Sequence, residues 1–155
     1  MPKLFARCRS AHKPLAVLII DIDHLKRIND AHGHAVGNHV LKEIVNRATI
    51  ALRPLDVVAR MGGEEFAVVM PEKDLDAALQ IAERLRGCIG DTLVEGADCT
   101  PPFTVTVSIG VSVAQPDREE EPWGAFRRAD TALYKAKRAG GNRVIADGSG
   151  EPPHG

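Results

Sequence analysis

Cysteine is scarce in this chain: Cys8, Cys88 and Cys99 are odd in number, far apart and without a C-x-x-C pair. That pattern excludes a disulfide framework and a thiolate zinc site, and it suits a reducing cytoplasm. Aromatics are equally few, with one Trp, one Tyr and four Phe. None interleaves with basic strands, so a base-stacking platform is excluded, and Trp123 and Phe126 are expected in the core under the last helix. No charge of one sign dominates, because 20 Lys/Arg against 21 Asp/Glu leave a net charge of -1. A polynucleotide partner is excluded with the basic field it would need. Long hydrophobic runs are missing too: the basic start Met1 to Lys13 leads into Leu15 to Ile20, which stops at Asp21 without a small-residue cleavage site. Neither a signal peptide nor a membrane contact by this domain is expected. There is no internal repeat.

What is present fits one domain, since 155 residues can enclose a single core. Leu15 to Asp23 is a continuous apolar run ending in acids, the pattern of a central strand whose carboxyl end is open to chemistry. A short polar helical stretch runs through Asn29. Ala35 to Leu52 carries apolar residues at helical spacing and is stopped by Pro54. Asp56 to Met61 and Glu65 to Met70 read as strands joined at Gly62-Gly63, which tolerate a tight hairpin. Leu75 to Ile89 is helical, Phe103 to Ala114 alternates as one strand, Trp123 to Ala139 is a helix, and Asn142 to Ala146 is a last strand. The Gly/Pro-rich end, 148–155, is expected to be a disordered tail. This order contains a split βαββαβ unit, so the expected fold is α/β (α+β): a ferredoxin-like, mostly antiparallel five-stranded sheet flanked by helices.

The chemistry concentrates where the first strand ends. Asp21 beside a hairpin tip carrying Glu64 and Glu65 gathers carboxylates, which is costly unless a divalent cation neutralises them, and hard oxygen donors favour Mg²⁺ or Mn²⁺. Any one of Asp21, Asp23, Glu64 or Glu65 taken alone reads better as a solvated acid at a strand end or turn; the metal reading rests on the four jointly in their motif context. The histidines His24, His32, His34 and His39 lack the spacing or cysteine partners of a closed zinc site. Glu119 to Glu121 reads as a solvated loop.

Arg60-Met61-Gly62-Gly63-Glu64-Glu65-Phe66 resembles the GGEEF form of the GGDEF-family signature. The likeness extends to Asp21 through Asp30 (DxDxFKxxND), Gly33 through Gly37 (GHxxGD), Ser108 through Val111 (SIGV), and Ala129-Asp130 with Tyr134 through Lys137 (AD…YxAK). The resemblance covers about residues 15 to 145. It implies a cyclase/palm-like domain, residues 1–147, without the family's usual N-terminal LTxLxNR segment and following an upstream sensor in a longer protein. It also implies a diguanylate cyclase: a nucleotidyltransferase condensing two GTP into cyclic di-GMP and pyrophosphate, as a homodimer with two Mg²⁺ (or Mn²⁺) per active site.

Carried over residue by residue, the resemblance implies that Asp21, the Ile22 carbonyl and Glu64 hold metal against the triphosphate. Glu65 assists metal binding or takes the attacking hydroxyl's proton. Amides near His24, Leu25 and Lys26 face phosphate from a helix start. Gly62 and Gly63 let the hairpin approach the nucleotide, Asn29 contacts guanine, and Lys137 is a phosphate cation. Two departures stand out. Asn38 occupies the position of the final Asp in GHxxGD, which is expected to weaken guanine selectivity because Asn offers one acceptor where Asp offers two. Gly141 replaces the Arg of a GRN segment, removing a phosphate contact unless Arg138 or Arg143 reaches across. Both support an alternative, a weakly active domain serving as a cyclic di-GMP or GTP receptor. Arg53-Pro54-Leu55-Asp56 stands at the spacing of the family's RxxD inhibitory motif, implying a product-binding site at Arg53 and Asp56 with Arg84 as a second arginine. Arg53 at a helix C-terminus also has a purely structural reading. Phosphodiesterase activity would need a larger domain.

Overall fold

A computed structural model describes residues 13–62, 64–90, 93–94, 103–114 and 123–147. Cys8, Cys99, Gly63, the Glu119 to Glu121 run, the basic start before Lys13 and the tail lie outside these residues. The order is β1 (Leu15–Ile22), α1 (Leu25–His32), α2 (His34–Ala51), β2 (Val57–Arg60), β3 (Glu65–Pro71), α3 (Leu75–Gly90), β4 (Leu93–Val94), β5 (Phe103–Thr104), β6 (Val107–Ala114), α4 (Trp123–Arg138) and β7 (Val144–Ala146). Five strands form one sheet in the order β2-β3-β1-β6-β7. β1 is central and antiparallel to β3 and β6; β2 is antiparallel to β3, and β7 runs parallel to β6. Leaving out β7, this is the strand order of the expected ferredoxin-like unit.

Every residue of β1 is buried, as a strand covered on both faces must be. Its alternation decides which face each side chain serves. Ala16, Leu18, Ile20 and Ile22 join a core with residues of α1, α2 and α3, whereas Leu15, Val17 and Ile19 face Ala125, Ala129 and Leu133 of α4. Asp21 continues the second series. α4 can lie close on the sheet because its inner face is largely alanine and because β6 offers Gly110, where a Cβ would stand 2.0 Å from the Ala129 carbonyl oxygen.

Two sequence expectations need correction. Phe103 to Ala114 is two strands: β5 turns away to pair with β4 in a small separate sheet, and the ladder with β1 begins at Val107. Trp123 is half-exposed and leans on partly buried Phe126, because it opens α4 beyond the edge of the core.

Candidate functional site

The site is built where β1 runs out beside the β2–β3 hairpin. Asp21 and Glu65 are direct cross-strand partners. Glu65 shares the α4 face with Ala67 and Val69 by the same alternation. The hairpin is closed by Met61 N–H donating to the Glu65 carbonyl at 2.9 Å, and Ile22 N–H donates to the Glu64 carbonyl at 3.3 Å. Glu64 is therefore carried to the end of β1, while Gly62 has open space where a side chain would be.

From α4, Lys137 Nζ stands 3.1 Å from Asp21 Oδ1 and 3.8 Å from Asp23 Oδ1. The Asp21 contact is short but misaligned, leaving buried Oδ1 without a formed hydrogen bond. Burial, opposed by Lys137 and reinforced by Glu64 and Glu65, pushes the Asp21 carboxyl up to about 6. The Glu65 carboxyl is also raised, first by burial and then by Asp130 and Glu64, with Lys137 opposing. The acids thus converge, and their charge exceeds what Lys137 balances.

Among the described residues, no three His, Cys, Asp or Glu side chains group closely enough to hold an ion by themselves. The donors nevertheless fit a hard divalent cation: a buried carboxylate oxygen whose cationic neighbour, Lys137, is misaligned, a second carboxylate directly across the strand pair, and all-oxygen chemistry that leaves positions for a ligand's own oxygens.

Beside these acids lies a cavity of about 400 Å³ lined by Leu25, Asn29, His34, Gly37, Asn38 and Glu64. Asn29 Oδ1 is buried and unpartnered. It rests on Gly37, where an added Cβ would fall 1.6 Å from that oxygen. α1 starts from His24, a residue in the left-handed conformation with φ 60, and no side chain caps it. Its first-turn amides, at Leu25 and Lys26, remain available to an anion. Asn38 is exposed at the cavity rim.

A second cavity of about 490 Å³, lined by Met61, Gly62, Glu64, Glu65, Phe126, Arg127 and Asp130, borders the same acids from the α4 side. Sequence reasoning assigned no role to Asp130, although its place in the AD motif and the α4 periodicity put it on the face that meets Glu65.

Arg53 and Asp56 lie away from the acids, at the turn into β2. Arg53 Nη2 donates to Asp56 Oδ1 at 2.9 Å and to the Pro71 carbonyl at 2.9 Å, while Arg53 N–H donates to Asp56 Oδ2 at 2.9 Å. The pair closes the turn. Arg84 is exposed on α3. Gly141 holds φ +76, with Arg143 Nε donating to its carbonyl at 3.0 Å.

A family model described as "Diguanylate cyclase, GGDEF domain" matches residues 1–143. The probable diguanylate cyclase DgcT of Escherichia coli (strain K12) is 41% identical over 144 residues, which are 92% of this chain and 32% of DgcT. The chain spans about a third of the length of the curated relatives it matches. The GGDEF domain of DgcB from Caulobacter crescentus, solved in complex with c-di-GMP, superposes with a TM-score of 0.87 at 30% identity, covering 95% of this chain and 85% of that one. The active GGEEF domain of a diguanylate cyclase from Vibrio cholerae gives 0.85 at 31% identity, covering 94% and 90%.

Proposed function

This chain belongs to the GGDEF family of diguanylate cyclase domains, and from that premise we propose that it joins two GTP molecules into cyclic di-GMP, releasing two pyrophosphates. The observation that carries the reading is the convergence of Asp21, Glu64 and Glu65 with Lys137 beside a cavity ending in the unpartnered Asn29 oxygen. The cavity takes the purine, and Asn29 Oδ1 accepts from its edge. The open first-turn amides of α1 meet the phosphates, and Lys137 turns from Asp21 towards them. Asp21, Glu64 and the Ile22 carbonyl would hold a divalent metal ion, whose chemistry is to offset triphosphate charge and ease ionisation of the attacking hydroxyl. Glu65, whose carboxyl burial and the nearby Asp130 hold above its ordinary value, takes the proton from the 3′-hydroxyl that attacks the α-phosphorus of the other nucleotide. This cavity would hold a single nucleotide, so two chains must face one another to close the symmetric product.

Mass identification of the product from concentrated protein, Mg²⁺, GTP and ATP tests this. Cyclic di-GMP is expected; no cyclic dinucleotide at any protein concentration would overturn the reading in favour of a nucleotide receptor, the role that Gly141 would suit. The same mixture tests selectivity. Asn38 at the rim offers one acceptor and one donor, a mismatch costing about 1–3 kcal/mol, or roughly 10- to 100-fold in GTP affinity. Asn38→Asp is expected to tighten GTP by at least about tenfold, and strict GTP use by the unaltered chain would remove the idea of relaxed selectivity.

Product feedback through Arg53, Asp56 and Arg84 belongs to the same proposal. Arg53 would exchange Asp56 and the Pro71 carbonyl for the O6 and N7 edge of guanine. Calorimetry with cyclic di-GMP decides it: Arg53→Ala is expected to lose binding, and unchanged affinity would exclude the site.

A further inference from the structure

The two acids at the end of β1 face the same side, yet their surroundings differ. Asp21 Oδ1 has no formed hydrogen bond, whereas the Asp23 carboxylate is almost saturated. Its Oδ2 accepts from Thr106 Oγ1 at 2.6 Å and from Asn142 N–H at 2.8 Å, and its Oδ1 accepts from Ser108 Oγ at 2.7 Å. These donors come from the β5–β6 junction, from β6, and from the turn between α4 and β7.

That turn ends the helix bearing Lys137. Gly140 N–H donates to the Lys137 carbonyl at 3.1 Å and Gly141 N–H to the Ala136 carbonyl at 3.0 Å. Gly140, Gly141 and Asn142 all have positive φ, at 119, 76 and 48, a run that needs outside support. Asp23 grips its backbone, and Arg86 of α3 grips its side chain, with Nη1 donating to Asn142 Oδ1 at 2.9 Å. A Cβ at Gly141 would stand 3.1 Å from the Asp23 carboxylate, so the glycine permits this approach.

We propose that Asp23 is a positioning residue for Lys137: by tying down the C-terminal turn of α4 and by standing 3.8 Å from Nζ, it fixes where the ammonium meets the nucleotide's phosphates. Asp21 is thereby left for chemistry and Asp23 is spent on geometry. The inference rests on the reading that Lys137 is a phosphate cation, and misplacing such a group by an ångström can cost about a hundredfold.

A double-mutant cycle tests it, using Asp23→Asn, Lys137→Ala and the pair, with both GTP dissociation constants and product formation as readouts. Asparagine keeps the shape, and the Thr106 and Ser108 hydroxyls can rotate to suit it, so the melting temperature should stay within about 4 °C of wild type. Asp23→Asn alone is expected to weaken GTP binding and turnover by at least about tenfold. In the Lys137→Ala background it should add little. Additive losses in the double variant would overturn the proposal and leave Asp23 a structural clamp. If Asp23→Asn does not fold, Thr106→Val removes one donor and should show the same non-additivity at smaller size. A wild-type protein that binds GTP but makes no product would sink the cyclase reading, while the affinity cycle would still decide the role of Asp23.

Discussion

Asp21 is held by surroundings that oppose its charge. Its carboxyl is raised from 3.8 to about 6, so between those values the folded state holds more proton than the unfolded chain. The resulting stabilisation is present in full below pH 3.8 and is lost as pH rises through about 6. At neutral pH the ionised group therefore costs on the order of 2–3 kcal/mol. Asp21→Asn is expected to melt roughly 4 to 10 °C higher than wild type at pH 7.5 in the absence of metal and nucleotide. Thermal melts across pH check this: the gap should close below pH 4, and a variant that melts lower at neutral pH would contradict it. The same substitution should abolish turnover. Asp21, Glu64, Glu65, Asn29 and Lys137 were legible in the sequence through their motifs. The hydrogen bonds to Asp23 were not, because Thr106, Ser108 and Asn142 lie far along the chain and reach it only through strand register.

Two glycines show what the elements must tolerate. At Gly110 the backbone of α4 rests on β6, with Ala129 O at 2.0 Å and Leu133 N at 2.4 Å from a built Cβ. Backbone cannot yield as a side chain can, so Gly110→Ala is expected to cost about 3 kcal/mol in denaturant unfolding. At Gly37 the obstructing atom is the end of the Asn29 side chain. Gly37→Ala should displace Asn29 with little loss of stability and weaken GTP by about tenfold in calorimetry; unchanged affinity would remove Asn29 from the purine pocket. Element identity was readable from periodicity, with boundaries close to those seen for α2, α3 and α4. The departure of β5 was not, because Phe103-Thr104 continues the alternation of β6 and only its pairing with β4 separates it. His32 stacks on Phe103 at 5.5 Å, a contact that ties α1 to this small sheet and leaves no trace in local pattern.

For the whole molecule, the ferredoxin-like order places the end of β1 between the hairpin and α4, so acids far apart in sequence share one face. Among the described residues, no helix is long and apolar enough to cross a membrane. If two chains must meet to close the product, its formation should rise with the square of protein concentration while the chains are mostly monomeric. The most direct test of the central claim compares wild type with Glu64→Gln at high protein concentration, measuring cyclic di-GMP by mass after incubation with GTP and Mg²⁺. Wild type should form it and Glu64→Gln should fall by at least about a hundredfold. Equal product from both would show that the strand-end and hairpin acids are not the catalytic centre.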